Sequence, residues 1–482
     1  MRRARPAATG QESTFRVSDL FFSRTDTKGR ILSGNDVFAR VSGYPREELL
    51  GAPHNIVRHP AMPRSVFALV WDRLLAGLQI SAYTVNLAAD GSHYWVLTSM
   101  RPVTGGYLSI RQKPCHPELF ATVQAIYADV LATEQAAEAA GASTSEIIAA
   151  GTARLGELLA EAGFADYEVF MGQLLPAEVA ARTEVMQAAE EQFRASGRPD
   201  RRGAALRSAE LGREYAEVSD ALLALVHRID MFESYSTQLA DQSAYVRELA
   251  RKIYLFSLQT ALLGHQLGER AAGVSAVAEL VKDGVGGILA AADPLTEVID
   301  KIRATLGALA YSVAASKLEV DALRVFVTEL IRDKPSDPIL IDDLGLLAEG
   351  ISDDVQTTGR RLAELRDLMP DLRVPLSRLE GLLREMDALT FNGRVECSRI
   401  DDRADAVKLF AQIRGLVREA DKRLSGVDNF SEMIAAAARE GQTIERTVQA
   451  LVRRIAETCR ARSSPEESLA SPSLSRTSET PA

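Results

Sequence analysis

Cysteine is scarce: three in 482 residues. Cys115, Cys397 and Cys459 are odd in number and far apart, so they read as free thiols in a reducing compartment and exclude a disulfide framework or a zinc site. Positive charge is short as well. With 56 Lys and Arg against 66 Asp and Glu, the formal net charge is -10, and no basic stripe is present to displace counterions from nucleic acid. No apolar run reaches the roughly 18 residues a membrane helix needs. The nearest candidate, Gly284 to Ala292, is glycine-rich and flanked by Asp283 and Asp293. The basic start Met1-Arg2-Arg3-Ala4-Arg5 has no apolar segment behind it, unlike a secretion signal, so a cytoplasmic location is expected. Enzyme signatures are missing too. There is no P-loop, no kinase or cyclase motif, no Cys-His or Ser-His-Asp set in motif context and no metal-spaced cluster, so neither catalysis nor a metal site is expected.

Aromatic residues, at 6%, are few and unevenly spread. Both tryptophans and three of the six histidines fall within residues 14–113. In this stretch apolar residues alternate in short runs. Val85-Asn86-Leu87, a turn at Ala89-Asp90-Gly91 and His93 to Thr98 read as strand, turn and strand, with a further strand at Tyr107 to Ile110. A helix is expected from about Ser65 to Ala76. Residues 14–113 are therefore a small domain with an antiparallel sheet and flanking helices, preceded by a disordered segment at 1–13. Beyond Pro114 the texture becomes rich in Ala, Glu and Leu. Residues 114–200 read as a helical connector, with breaks near Gly141, Gly163 and Pro176.

Two long hairpins follow, at 201–333 and 339–462, and a disordered tail at 463–482 rich in Ser, Pro, Thr and Glu. Leu211, Tyr215, Val218, Leu222, Leu225, Ile229 and Phe232, continuing to Ile253, alternate steps of four and three, which is a coiled-coil stripe. Similar stripes run from Leu295 to Leu330, from Leu376 to Met386 and from Phe410 to Ala438. Pro370 and Pro375 are expected to interrupt the third arm. Arms of this length, about 80–90 Å at roughly 1.5 Å per residue, suggest two antiparallel hairpins packed as one four-helix bundle. The fold class is α+β followed by a long all-α, coiled-coil-like bundle.

Within the small domain, the order Asn35-Asp36-x-Phe38, Ser42-Gly43-Tyr44, Glu47-Glu48-Leu49-x-Gly51, Pro53-His54-Asn55-x-Val57-Arg58-His59-Pro60-x-Met62-Pro63, Phe67, Trp71 and Asp90-Gly91-x-His93-Tyr94-Trp95-Val96 resembles the PAS domain of aerotaxis receptors. In that family the domain holds FAD noncovalently and reports its redox state. A flavin needs a flat apolar slot, donors for its carbonyls and polar or cationic groups for its phosphates. Trp71 and Trp95 can wall such a slot, and Asn35 and Asn86 can offer amide contacts. His54, Asn55, Arg58 and His59 can meet the ring edge or the pyrophosphate. Position 61 departs from the family by carrying Ala where Asp is usual. A haem held through His54 or His59, or a PAS fold without a cofactor, are the other readings of these residues.

The stretch Ser257 to Val281 looks like a diverged hairpin tip of methyl-accepting chemotaxis proteins. Leu258, Gly268, Glu269, Gly273, Val277, Ala278 and Val281 match, while Gln259, Leu263 and Gln266 stand where the family has Asn, Glu and Arg. Leu389 to Arg399 restores the polar set as Asn392, Glu396 and Arg399, four and three apart on one helix face. That trio is also what a local polar network would need. The resemblance implies contacts of Gln259, Leu263, Gln266, Asn392, Glu396 and Arg399 with a chemotaxis-type histidine kinase or coupling protein, in a chain that can form homo-oligomers. The expected function is a redox or energy sensor and signal transducer of the chemotaxis type. The alternative is a cofactor-free interaction scaffold or a sensor with another output.

Overall fold

The computed structural model describes residues 6–195, 210–266, 271–333, 338–399, 404–424 and 428–463. Five strands form one antiparallel sheet: β1 (Phe21–Asp26), β2 (Ile31–Gly34), β3 (Ile80–Leu87), β4 (His93–Val103) and β5 (Gly106–Gln112), in the order β2-β1-β5-β4-β3. The expected Asp-Gly turn joins β3 to β4. Asp90 Oδ1 accepts from Ser92 N at 2.9 Å and Ser92 Oγ at 2.7 Å, and Gly91 takes φ +87°, where a side chain would be strained.

Between β2 and β3 lie α1 (Asp36–Ser42), α2 (Arg46–Leu49), a 3-10 turn at His54–Val57, and α3 (Arg64–Leu75). Asn35 starts α1. Its Oδ1 accepts from Phe38 N at 3.2 Å and Phe22 N at 3.0 Å, and its Nδ2 donates to Leu20 O at 2.8 Å, so one side chain caps a helix and pins β1. Phe21, Ile31, Phe38, Val41, Tyr44, Val57, Tyr94 and Val96 close a core under these helices.

The expected disorder at 1–13 is corrected for residues 9–13. Thr9 N donates to Gly91 O at 2.9 Å, His93 N to Gln11 O at 2.8 Å and Ser13 N to His93 O at 2.7 Å, so backbone pairing with the start of β4 holds this segment. Residues 1–5, 196–209 and those from 464 on lie outside the described residues.

The connector forms α4 (Pro117–Ala139), α5 (Thr144–Glu161) and α6 (Tyr167–Ala195). Gly141 and Gly163, at φ +87° and +92°, end helices as expected. Pro176 does not break α6. Phe170, Met171, Leu174, Leu175 and Val179 around it are buried, and their packing outweighs the missing donor.

The long helices are α7 (Glu210–Gln266), α8 (Ala272–Asp333), α9 (Pro338–Asp367), α10 (Met369–Cys397), α11 (Ala404–Leu424) and α12 (Asp428–Ser463). The third arm breaks at Leu368. Pro370 sits in the first turn of α10, where its missing N–H costs nothing, and Pro375 lies inside the helix.

One compact unit contains the sheet, the connector and the helical stretches Ala314–Val355 and onward from Ile444. The other comprises Leu223–Val313 and Gln356–Thr443. In the second unit the stripe residues Leu225, Ile229, Phe232, Ile299, Ile302, Leu306, Leu383, Ile413 and Val417 are all buried. Ser243 Oγ lies 3.1 Å from Thr296 Oγ1, joining α7 to α8. Arg414 Nε donates to Asp387 Oδ1 at 2.9 Å, joining α11 to α10, and Arg228 pairs with Glu440 at 2.7 Å, joining α7 to α12. Gly284 of α8 faces Met386 of α10, whose Sδ would lie 2.6 Å from a Cβ there. These contacts join α7, α8, α10, α11 and α12 within the unit.

In the first unit the sheet face opposite α1–α3 is covered by helices. Tyr83 Oη donates to Glu178 of α6, and Tyr127 Oη of α4 donates to Tyr83 O at 3.1 Å. Phe22 meets Phe326 of α8 edge to face at 4.3 Å. Arg101 Nη1 pairs with Glu319 Oε1 of α8 at 2.9 Å and with Asp354 Oδ2 of α9 at 3.3 Å. Arg24 Nε lies 2.8 Å from Asp343 Oδ1 of α9.

Candidate functional site

A cavity of about 240 Å³ lies between one face of the sheet and the segments that follow β2. Strand alternation builds one wall, because every second residue of a strand faces the same way. Ser23 and Thr25 come from β1, Thr84 and Asn86 from β3, Thr98 and Met100 from β4, and Tyr107, Ser109 and Arg111 from β5. The 3-10 turn contributes His54, Asn55 and Val57, and Arg58 follows. On α3, Phe67, Val70, Trp71 and Leu74 recur at helical spacing and form the apolar wall. Trp71 stands at the rim, 36% exposed, against Gly29, where a Cβ would lie 3.3 Å from its ring.

Among the described residues, the lining carries Lys28, Arg58 and Arg111 and no carboxylate. Arg111 is buried. Its two terminal nitrogens donate to Ser23 Oγ at 3.1 Å, and Nη2 sits 2.6 Å from His54 Nε2. Burial pushes its guanidinium down to about 10. His54 is pushed down to about 3, first by burial of the imidazole and then by the charge of Arg111, against a backbone hydrogen bond that favours the charged form. The ring is therefore neutral, and Nε2 acts as acceptor with the proton on Nδ1. His54 also stacks parallel on Phe38, with centroids 5.8 Å apart. Arg58 lies with its guanidinium carbon 4.1 Å from the centroid of the Phe67 ring, and its Nη2 donates to Met62 O at 3.4 Å. Thr84 and Thr98 share a hydrogen bond of 2.7 Å. Ser109 Oγ is buried and has no hydrogen-bond partner among the described residues.

Of the residues singled out from the sequence, His54, Asn55, Arg58, Trp71 and Asn86 meet at this cavity. Asn35 does not, because its amide is committed to capping α1. Nor does His59, whose Nδ1 accepts from Ala61 N at 3.1 Å and whose ring lies 5.7 Å from that of His93. Trp95 is on the opposite face of the sheet, edge to face with Phe120 and 6.3 Å from Tyr127, so only one indole walls the slot. Ala61 is exposed and outside the lining. Arg111, Ser109, Ser23 and the Thr84–Thr98 pair were missed. Their signal was polar residues at alternate positions in strands otherwise rich in apolar side chains.

In the second unit, Asn392 and Arg399 are exposed, and Arg399 Nη1 donates to Glu396 Oε1 at 2.9 Å. Glu396 also lies over Gly273, where a Cβ would sit 2.6 Å from its Oε2. Gln259 and Gln266 are exposed and Leu263 half-buried, while Gly268 and Glu269 lie outside the described residues. Leu258 and Leu262 on α7, and Phe391 and Val395 on α10, are exposed large apolar side chains.

The profile of the PAS fold family matches residues 31–108. The aerotaxis receptor of Escherichia coli (strain K12) is 38% identical over 127 residues, which is 25% of this chain and 25% of that protein. Biofilm dispersion protein BdlA of Pseudomonas aeruginosa is 30% identical over 82 residues, 17% of this chain and 20% of that protein. The chain thus spans a quarter or less of the length of these curated relatives. Among solved structures, a PAS domain from Colwellia psychrerythraea is 21% identical and covers 20% of this chain and 85% of its own, with a TM-score of 0.17. A fungal LOV domain photoreceptor is 17% identical and covers 22% of this chain and 81% of its own, also with a TM-score of 0.17. No helix among the described residues is long and apolar enough to cross a membrane.

Proposed function

We propose, from the PAS domain that residues 31–108 form, that the protein is a sensor and signal transducer of the chemotaxis-receptor type. In this reading its cavity takes the ring of FAD, and its helices pass the state of that cavity to a chemotaxis-type histidine kinase or coupling protein in the cytoplasm. The observation that carries the reading is Arg111, a buried cation on a cavity wall with no carboxylate among the described residues that line it, beside Ser109 Oγ, a buried hydroxyl with no hydrogen-bond partner among them. Groups arranged this way call for a ligand edge rich in acceptors. A flavin, when bound, would supply a reversible redox couple at that edge.

The residues divide the work. Arg111 and Ser109 face the acceptor edge, and Arg111 favours whichever ligand form carries more negative charge. Phe67, Val70 and Leu74 exclude water from the ring face. About 240 Å³ is below the range of roughly 300–1,000 Å³ for drug-sized sites, so a ring is held and the nucleotide tail runs out past Lys28 and Trp71. Haem is less well supported, because His54 Nε2 is engaged by Arg111 at 2.6 Å and His59 lies outside the lining.

In the helical half, the reading assigns residues 201–333 and 339–462 as two hairpins. The exposed Asn392 and Arg399, with Phe391 and Val395 beside them, suit a partner surface. The test is the visible spectrum of the purified chain, followed by titration with FAD. Flavin bands, or saturable binding of added FAD, are expected. Colourless, folded protein that ignores FAD overturns the cofactor reading and leaves an interaction scaffold. Capture of a chemotaxis kinase and coupling protein by the wild type, weakened by Glu396→Ala, is expected for the output. Capture of neither overturns that half.

A further inference from the structure

The apolar wall of the cavity is one helix, and its N-terminus is capped from elsewhere in the chain. Helix α3 begins after Pro63, which has no side-chain donor or acceptor to offer the first amides. Those amides are met by Glu134 of α4. Arg64 N donates to Glu134 Oε2 and Ser65 N to Oε1, each at 2.8 Å. The Glu134 side chain is buried, so this is an enclosed carboxylate on a helix N-terminus rather than a surface ion pair. Helix α5 closes over the same point. A Cβ on Gly151 would lie 2.6 Å from Glu134 Oε1 and 2.8 Å from Ser65 Oγ, so a larger residue there would displace the capping carboxylate or the Ser65 side chain. Arg154 of α5 is forked onto Asp129 of α4 at 2.8 and 3.1 Å, which ties the two helices together.

The same hairpin reaches the other wall from behind. Tyr127 of α4 donates to Tyr83 O on β3, and Phe120 packs against Trp95 on β4. The α4–α5 hairpin therefore touches both walls of the cavity, α3 and the sheet, without entering it.

We infer that the α4–α5 hairpin sets the position of the cavity's apolar wall, with Glu134 as the positioning residue. Ligand affinity is then tuned from outside the cavity, and occupancy is felt by the hairpin in return, since a coupling between two sites is reciprocal. The choice of FAD as probe rests on the flavin reading of the cavity. The wall-to-hairpin coupling does not.

The experiment separates capping from positioning in the full chain. Glu134→Gln is expected to weaken FAD binding about tenfold and to raise amide exchange at residues 64–66. Adding Pro63→Asp supplies a local cap for α3. In the double variant, amide protection is expected to return while affinity stays low. Recovery of wild-type affinity would show that Glu134 only caps, and would overturn the inference. If the wild type binds no FAD, the flavin reading falls and the ligand-free arm decides. Gly151→Ala, which touches no cavity residue, is expected to raise exchange across residues 67–74 at least about tenfold. Unchanged exchange there, with far-UV dichroism like the wild type, would overturn the inference.

Discussion

Arg111 Nη2 lies 2.6 Å from His54 Nε2, a cation set against a neutral imidazole. The pair fixes the sign of a pH dependence. The unfolded ring takes up its proton near the ordinary value of about 6.5, whereas the folded one waits until about 3. Between these limits the unfolded chain binds more protons, so stability contributed by neutral His54 is complete above about pH 6.5 and is lost as pH falls. The expected slope reaches about 1.4 kcal/mol per pH unit. Denaturant midpoints of the wild type and His54→Asn, compared at pH 7.5 and 4.5, check this. The variant's fall should be the smaller, and equal falls would remove His54 from the account.

Arg111→Met separates stability from binding. Removing a buried cation that has no carboxylate partner among the described residues is expected to leave stability unchanged or raise it, by on the order of 1 kcal/mol. The same change takes away the donor facing the cavity and should cost FAD at least about tenfold in affinity. Thermal unfolding without ligand and a fluorescence titration measure the two. Unchanged affinity would place the ligand away from β5.

Arg101→Met on the reverse face should behave in the opposite way. It leaves Glu319 and Asp354, whose side chains are only 7% and 11% exposed, without their shared cation. The expected loss is about 3–5 kcal/mol. Burial, with the charge of Asp354 adding to it, already holds Glu319 above the usual carboxylate range. Without Arg101 its folded form should keep a proton to higher pH while the unfolded form does not. The loss should therefore be greater at pH 8 than at pH 5, read by urea unfolding at both.

Gly393→Ala tests packing against propensity. Alanine favours a helix over glycine by about 1 kcal/mol. Inside α10, however, a Cβ at Gly393 would run into the ring of Phe410 on α11. Overpacking of this kind costs about 1–3 kcal/mol and should win. A raised melting temperature would show that the two helices part easily there.

The architecture was legible because it rests on periodicity. Steps of four and three placed Leu225, Ile229, Phe232 and Ile413 in a bundle core, and the Asp90-Gly91 turn placed β3 beside β4. Half of the site was legible from the His54–Arg58 run and Trp71. The rest depended on which face a strand residue takes. Trp95 and Thr98 differ by an odd number of positions and so face opposite ways, a parity that composition does not reveal. Pro176 misled because local propensity yields to the burial of Leu174, Leu175 and Val179.

Met100 lines the cavity while its neighbour Arg101 grips Glu319 and Asp354, and Thr25 lines it while Arg24 meets Asp343. A single-residue insertion upstream in β4 or β1 would trade these assignments, sending a guanidinium toward the ligand and a cavity residue toward the acids. Length changes in this chain should accordingly be confined to its turns, and the inner stretches of both strands should admit substitutions but not indels.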